Sequence, residues 1–245
     1  MSERQIINTS DRPDLDEQST AALLSVWPEF IFHDQVSSEL MPRVPDCFPQ
    51  YDIRILDGGE VVAGGWGVLL RWNATAEALP AGYDGALISA VTGHENAVPP
   101  DTLCVMAAAV RRDRQGAGLG GQVLTALQAR ATAAGLQRMI APVRPVLKSR
   151  YPLTPMADFA RWTRADGTHL DPWIRTHQRL GAVILGPAPR SMVITGTVTE
   201  WEEWAGLAFP ETGRYVVPGA LDLVEIDREK DLGIYAETNL WMRHL

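Results

Sequence analysis

The chain has 245 residues, 46% of them hydrophobic, and a formal net charge of −8. That length suits one large domain with a substantial core, and the negative balance argues against a broad nucleic-acid surface. No apolar run approaches the roughly 18 residues of a membrane helix, and two cysteines, Cys47 and Cys104, suggest neither a disulfide framework nor a zinc site.

The opening stretch, MSERQIINTSDRPDLDEQST, is polar and has no signal-peptide core. Residues 1–18 are expected to be a flexible segment, and the protein cytoplasmic. TAALLSVWPEFIF and QVSSELMPRV read as two short helices. YDIRILD-GG-EVVAGGWGVLLRW reads as a hairpin turning at Asp57-Gly58-Gly59. Residues 73–100 are rich in Gly, Pro and Ala and are expected to be mostly loop.

DTLCVMAAAV is apolar throughout and reads as a buried strand over 102–110. In LGGQVLTALQARATAAG, Leu119, Val123, Leu127 and Ala131 recur every four residues on one helical face, and Gly135 ends that helix. RMIAPV is a second buried strand, over 138–143. In DPWIRTHQRLG, Asp171 is the expected N-cap, Pro172 the first helical residue and Gly181 the stop. AVIL and RSMVITGTV read as strands, TEWEEWAG as a helical turn or two, and the last 40 residues as turns with short strands. The expected fold class is α/β (α+β), with a core over 19–205 and a strand/turn extension over 206–245 packed on it.

The segment from Val110 to Gly121, VRRDRQGAGLGG, joins the strand at 102–110 to the helix that starts at 119. A Walker A loop fails, because Gln122 follows Gly121 where Lys-Ser/Thr is needed. The dinucleotide pattern G-x-G-x-x-G is met by Gly116, Gly118 and Gly121. It lacks the acidic residue about 20 positions on, since no Asp or Glu occurs between Asp113 and Asp158. A Gly-rich connection with no ligand is the bland alternative.

A third pattern fits. Gln115, Gly118 and Gly120 match Gln/Arg-x-x-Gly-x-Gly/Ala between a central strand and a long helix, and here the sequence resembles the GCN5-related N-acetyltransferase (GNAT) superfamily. The order of elements resembles it too. The resemblance implies a central mixed sheet splayed between two strands, 102–110 and 138–143, and flanked by helices. It also implies a coenzyme A pyrophosphate on the loop. The physics is direct: the first amides of a helix lack internal partners and carry the positive end of its dipole. Glycines leave that approach open. Expected coenzyme A contacts are Val110, Arg111, Arg112, Gln115, Gly116, Ala117, Gly118, Leu119, Gly120 and Gly121, with Arg111, Arg112 and Arg114 adding positive charge.

YPLTPM, DPWIRTHQRLGA and APRSM look like a GNAT subgroup that occurs beside nitrilase-like domains, and like GNAT-like loading domains of polyketide assembly lines. Some of those decarboxylate malonyl-CoA and pass acetyl to a carrier-protein thiol. In many superfamily members a Tyr four residues before the glycine of a Leu-Gly pair protonates the leaving thiolate. Here that position is His177, whose imidazole can give or take a proton near neutrality. A packed core histidine, on one face with Trp173, Ile174 and Leu180, is the alternative.

Thr154 is a second catalytic candidate, or a turn residue between two prolines. Arg144 and Arg190 are candidates to hold a carboxylate, and His33 to line an acceptor pocket. No histidine pair has zincin spacing, so no metal is expected. The expected function is transfer of acetyl, or a related short acyl group, from acetyl-CoA to a small-molecule amine. Malonyl-CoA decarboxylation with transfer to an acyl carrier protein is the alternative, and a non-catalytic coenzyme A module a further one. Neither nucleic acid nor membrane is an expected partner; a second copy of the chain, as a homodimer, is a candidate.

Overall fold

The computed structural model describes residues 4–244. The N-terminal region is not a loose tail beyond that point. β1 (Arg4–Asn8) pairs antiparallel with the first hairpin strand, Ile6 opposite Ile55. α1 (Asp16–Leu23) follows, with Asp16 and Glu17 in its first turn, where the helix dipole favours negative charge. α2 (Gln35–Leu40) is capped by Asp34, whose Oδ2 accepts from Ser37 N at 2.7 Å. α3 (Val44–Cys47) is one turn. The two helices expected from sequence are thus broken into several short pieces, divided by Pro28 and Pro42.

β2 (Asp52–Asp57) and β3 (Glu60–Leu70) form the expected hairpin. The stretch expected to be mostly loop contains α4 (Gly82–Glu95), whose Ala86, Leu87, Ala90 and Val91 are buried. Its glycines weaken helix propensity, and tertiary contacts override them. Gly82 lies so close to Ser191 that an added Cβ would overlap it. Asp84 Oδ2 accepts from Val193 N at 3.2 Å. Neither contact is visible in local sequence.

β4 (Thr102–Val110), α5 (Leu119–Ala133) and β5 (Arg138–Val143) lie where the apolar patterns put them. Leu119, Val123, Leu127 and Ala131 are all buried. α6 (Met156–Phe159) is a single turn, and α7 (Pro172–Arg179) is capped by Asp171, which accepts from Trp173 N and Ile174 N. β6 (Val183–Gly196) fuses the two expected strands into one, irregular at Ile184/Gly186 and between Ala188 and Met192. α8 (Val198–Ala205) opens with a Thr197/Glu200 capping box.

β7 (Gly213–Tyr215), β8 (Val224–Asp227) and β9 (Leu232–His244) complete the sheet, which has nine strands among the described residues. Its order is β1-β2-β3-β4-β5-β9-β8-β7, with β6 also on β9. Residues 206–245 were expected to be an extension packed on the core. Instead β9 lies inside the sheet, pairing with β5, β6 and β8. The main core fills both sides of the central strands; a second gathers around Phe30, Trp201 and Tyr235.

The close fit of β3, β4 and α5 gives a stability test. A Cβ on Gly65 would sit 2.5 Å from Val123 Cγ1 and 2.6 Å from the Ala107 carbonyl. Overpacking of this kind costs about 1–3 kcal/mol, so Gly65→Ala should lower the melting temperature by several degrees. Differential scanning calorimetry reads that shift; an unchanged midpoint would show that α5 can back away from the sheet.

Candidate functional site

β4 and β5 are parallel but stay paired only over Thr102–Cys104 with Arg138–Ile140. Beyond that they part. A cavity of about 520 Å³ fills the gap, with Val105–Ala109 on one wall and Ala141–Arg144 on the other. Met106 is passed over in the β3–β4 register. Among the described residues no strand covers the β5-facing edge of β4 past Cys104, so amides there are available to a guest molecule.

The cavity runs along β4 to Ala109, next to the glycine loop at Val110. Gly118 is the N-cap of α5 in the left-handed region, at φ 76°, and no side chain caps that helix end. Gly116 is also left-handed, at φ 82°, and a Cβ on either would meet nothing within 4 Å. These two glycines hold the backbone turn and leave open space in front of the first helical amides, as an anion cradle requires. Leu119 anchors the loop in the core, Ala117 lies exposed between the two glycines, and Gln115 Nε2 donates to the Val110 carbonyl at 3.3 Å.

Gly120 has a different role from the one expected. An added Cβ would lie 2.9 Å from the Trp173 ring, so its small size lets α7 pack on the start of α5. Gly121 likewise faces Thr176. The arginines also differ from expectation. Arg111 is paired with Glu60 and Asp113, Arg114 with Asp57, and Arg112 donates to the Ser25 carbonyl. Much of their charge is answered within the protein, so what the loop leaves open is its backbone amides rather than its arginines.

His177 lines the cavity and is 1% exposed. Its Nδ1 lies 2.9 Å from Nε2 of His244, on β9, and its Nε2 has no partner. Trp173 meets the ring edge-on at 4.5 Å. Burial pushes the His177 pKa down to about 3, and His244 adds to the effect. Burial also lowers His244, to about 4. The pair is therefore neutral at physiological pH.

Also in the lining, Arg144 donates from Nε to both oxygens of Glu237, at 3.1 and 2.9 Å, and from a terminal nitrogen to the Gly219 carbonyl. Its guanidinium lies 6.0 Å from the Trp27 ring centroid. Glu237 also accepts from Tyr235 Oη and from Asn239 Nδ2, and Asn239 accepts from Ser191. Desolvation opposes the Arg144 charge, but Glu237 and Tyr235 outweigh it and hold the pKa above its ordinary value. Asp52 and Arg54, paired at 2.5 Å, add a second charged couple to the lining. Nearby, burial and then Asp34 push Asp84 up to about 7.

The other candidates from sequence lie elsewhere. Thr154 is in a half-buried turn outside the cavity lining. His33 stacks on Trp204 at 4.1 Å, near Glu29, although its neighbours Ile31 and Phe32 do line the cavity. Arg190 is exposed on the irregular part of β6, also outside the lining. Sequence reasoning missed His244, Glu237 and Asn239. All three are buried on β9, and the two-residue spacing of Tyr235, Glu237 and Asn239, which puts them on one face of a strand, was the available signal. Among the described residues no three His, Cys, Asp or Glu side chains group as metal ligands, and no helix is long and apolar enough to cross a membrane.

The acetyltransferase (GNAT) family matches residues 34–153. An arginine N-acetyltransferase, avaD, from Aspergillus versicolor is 28% identical, over 95% of this chain and 91% of its own length. Among solved structures, the loading GNATL domain of CurA from Lyngbya majuscula superposes with a TM-score of 0.60 at 16% identity, covering 99% of this chain and 97% of that one. The GphF GNAT-like decarboxylase in complex with isobutyryl-CoA gives 0.55 at 17% identity, covering 99% and 98%.

Two outcomes are expected from this geometry. Gly118→Val should weaken coenzyme A affinity at least tenfold by isothermal titration. Gly135→Val is the control, because Gly135 shares the same φ of 76° and an equally open environment outside the loop. It bears the same backbone strain and should leave affinity intact; equal losses in both would remove the cradle. The second outcome is a pH dependence. A histidine whose folded pKa lies below 6.5 contributes stability that is present above that value and lost as pH falls toward 3. Asp84, raised, acts oppositely between 3.8 and 7. The informative quantity is thus the melting-temperature difference between wild type and His177→Gln, which should shrink or reverse from pH 7 to pH 4. A constant difference would mean that His177 is not held neutral.

Proposed function

We propose that this chain, which matches the acetyltransferase (GNAT) family over residues 34–153, is an acyl-CoA-dependent acyltransferase that transfers acetyl from acetyl-CoA to the amine of a small, charged acceptor such as an amino acid. The carrying observation is the parted pair β4/β5, whose cavity is lined by Val105–Ala109, His177 and the Arg144–Glu237 couple, with the open Gly116–Gly118 loop following directly on β4 in the chain. The loop amides and the dipole of α5 receive the donor's pyrophosphate. The uncovered edge of β4 past Cys104 holds the pantetheine arm and offers an amide to the thioester carbonyl, where negative charge develops during attack. Support for an amine acceptor comes from the arginine N-acetyltransferase relative, which aligns along nearly the whole chain. Paired charges of both signs in the lining, Asp52 with Arg54 and Glu237 with Arg144, suit an acceptor that carries both.

In this reading His177 is the catalytic residue. A neutral imidazole on a residue that lines the cavity, with a buried and unpartnered Nε2, can take the proton that the attacking nitrogen sheds. Coenzyme A supplies the activated acyl carbon and a thiolate leaving group; the chain supplies position, an oxyanion donor and the proton acceptor. The alternative of malonyl-CoA decarboxylation keeps Arg144 in the cavity as a carboxylate holder, but that guanidinium is already paired with Glu237, and Thr154 and Arg190 stand outside the cavity.

Mass spectrometry with acetyl-CoA, malonyl-CoA, pooled amines including arginine, and a carrier protein tests the proposal. Acetylated amine with release of free coenzyme A is expected. Carbon dioxide release and acetylation of the carrier, with no amine product, would favour the alternative, and tight coenzyme A binding without turnover would favour a binding module. Once an acceptor is known, His177→Gln should lower the single-turnover rate by about 10²- to 10⁴-fold with little change in coenzyme A affinity. Because His177 stays neutral down to about pH 3, kcat/KM should show no break near pH 6.5 from this residue. It should instead rise with deprotonation of the acceptor's ammonium group.

A further inference from the structure

His177, which lines the cavity, is backed by a second histidine. Its Nδ1 is 2.9 Å from Nε2 of His244, and both residues are buried, at 1% and 4% exposure. One proton lies between those nitrogens, and two neutral arrangements are possible. In the first, His177 carries the proton on Nδ1 and donates it to His244, so its Nε2 is a bare lone pair. In the second, His244 donates, and the proton of His177 is on Nε2. The surroundings of His244 discriminate between them. The Leu180 carbonyl, at the C-terminal end of α7, lies alongside His244 as a weak backbone acceptor. It does not reach full hydrogen-bond geometry with Nδ1, which has no other partner. A proton on His244 Nδ1 meets that carbonyl favourably; a bare Nδ1 would set two acceptors against each other. With the proton on Nδ1, His244 Nε2 is free to accept from His177.

Both rings are held where they stand. His244 is fixed by strand pairing opposite Met139 on β5. His177 is fixed by α7, which Asp171 caps and which Trp173 wedges against Gly120. Neither histidine needs to move for the contact to form.

We propose that His244 is a positioning residue that sets His177 as the Nδ1–H tautomer, leaves a free lone pair on its Nε2, and relays the proton during transfer. This inference rests on the acetyl-transfer reading and deepens it. The amine nitrogen bonds to the thioester carbon, and its surplus proton passes to His177 Nε2. The Nδ1 proton of His177 moves to His244 Nε2. His244 then holds a proton on each nitrogen and carries the positive charge, facing the Leu180 carbonyl. When the carbon–sulfur bond breaks, the thiolate takes the proton from His177 Nε2, and His244 returns its proton to His177 Nδ1. Thioester and amine become amide and thiol, and both rings end as they began. One atom, Nε2, serves as base and then as acid.

The direct test reads the tautomers. Long-range proton–nitrogen NMR correlations on the nitrogen-labelled wild-type protein near pH 7, assigned with His177→Gln and His244→Gln, should show both rings protonated on Nδ1. A His177 ring protonated on Nε2 overturns the proposal whatever the activity, and this measurement needs no amine acceptor. The kinetic test uses single-turnover acetyl transfer. His244→Leu should slow it about 100-fold without changing coenzyme A affinity. His244→Gln, whose side-chain oxygen can accept from Nδ1–H, should recover at least tenfold of that. Equal losses in both variants are the signature of packing and also overturn it. If the wild type acetylates no amine, the functional reading falls, and the ring spectra still decide the tautomer.

Discussion

Everything in this site depends on two parallel strands that stop pairing. β4 and β5 begin side by side at Thr102 and Arg138 and part after Cys104 and Ile140. An interior strand edge without a partner is costly unless something else satisfies it. The fold tolerates the gap because each strand is secured on its opposite edge, β4 by β3 and β5 by β9. A slot with rigid walls and unspent hydrogen-bonding groups is what a long, flexible acyl carrier needs. The glycine loop, α7 and the β9 side chains are all placed relative to that slot.

Polar groups in the cavity fall into two kinds. The Arg144, Tyr235, Glu237, Asn239 and Ser191 network is closed: Glu237 accepts from three neighbours, and Ser191 in turn accepts from Tyr83 N. Closed networks of buried polar groups hold shape, because every member's desolvation is offset. The histidine pair is open. One nitrogen of each ring is unpartnered, and burial works against charging either one. An open, neutral, buried imidazole contributes little as scaffolding, and its lone pair is left over for a substrate.

Local signals were strong where a single segment sets its own structure. Continuous apolar runs at 102–110 and 138–143, the four-residue recurrence through Leu119–Ala131, and the Asp171-Pro172 start each located an element. α4 was hidden because Gly82, Gly85 and Gly93 look like loop residues, and its stability comes from Ser191 and Val193 more than 100 positions away. β9 was hidden for a related reason: Glu237 and Asn239 sit at buried positions and break the apolar alternation that marks a strand. The glycine loop was readable because its chemistry is in the backbone. The arginine pairings, the placement of Thr154, His33 and Arg190 outside the cavity lining, and the His177–His244 contact are not set by the local segment alone.

The position of β9 bears on how the chain reaches its folded state. The partners of this strand are 5 to about 100 residues earlier, and it closes the sheet between β5 and β8 while also receiving β6. Pairings of such long range carry a large loop-closure cost before they return any contact energy, and they form slowly. Until β9 arrives, β5 presents an apolar open edge that can recruit a strand from another molecule. The strand that carries His244 and Glu237 is therefore also the one whose timely insertion protects the chain from aggregation.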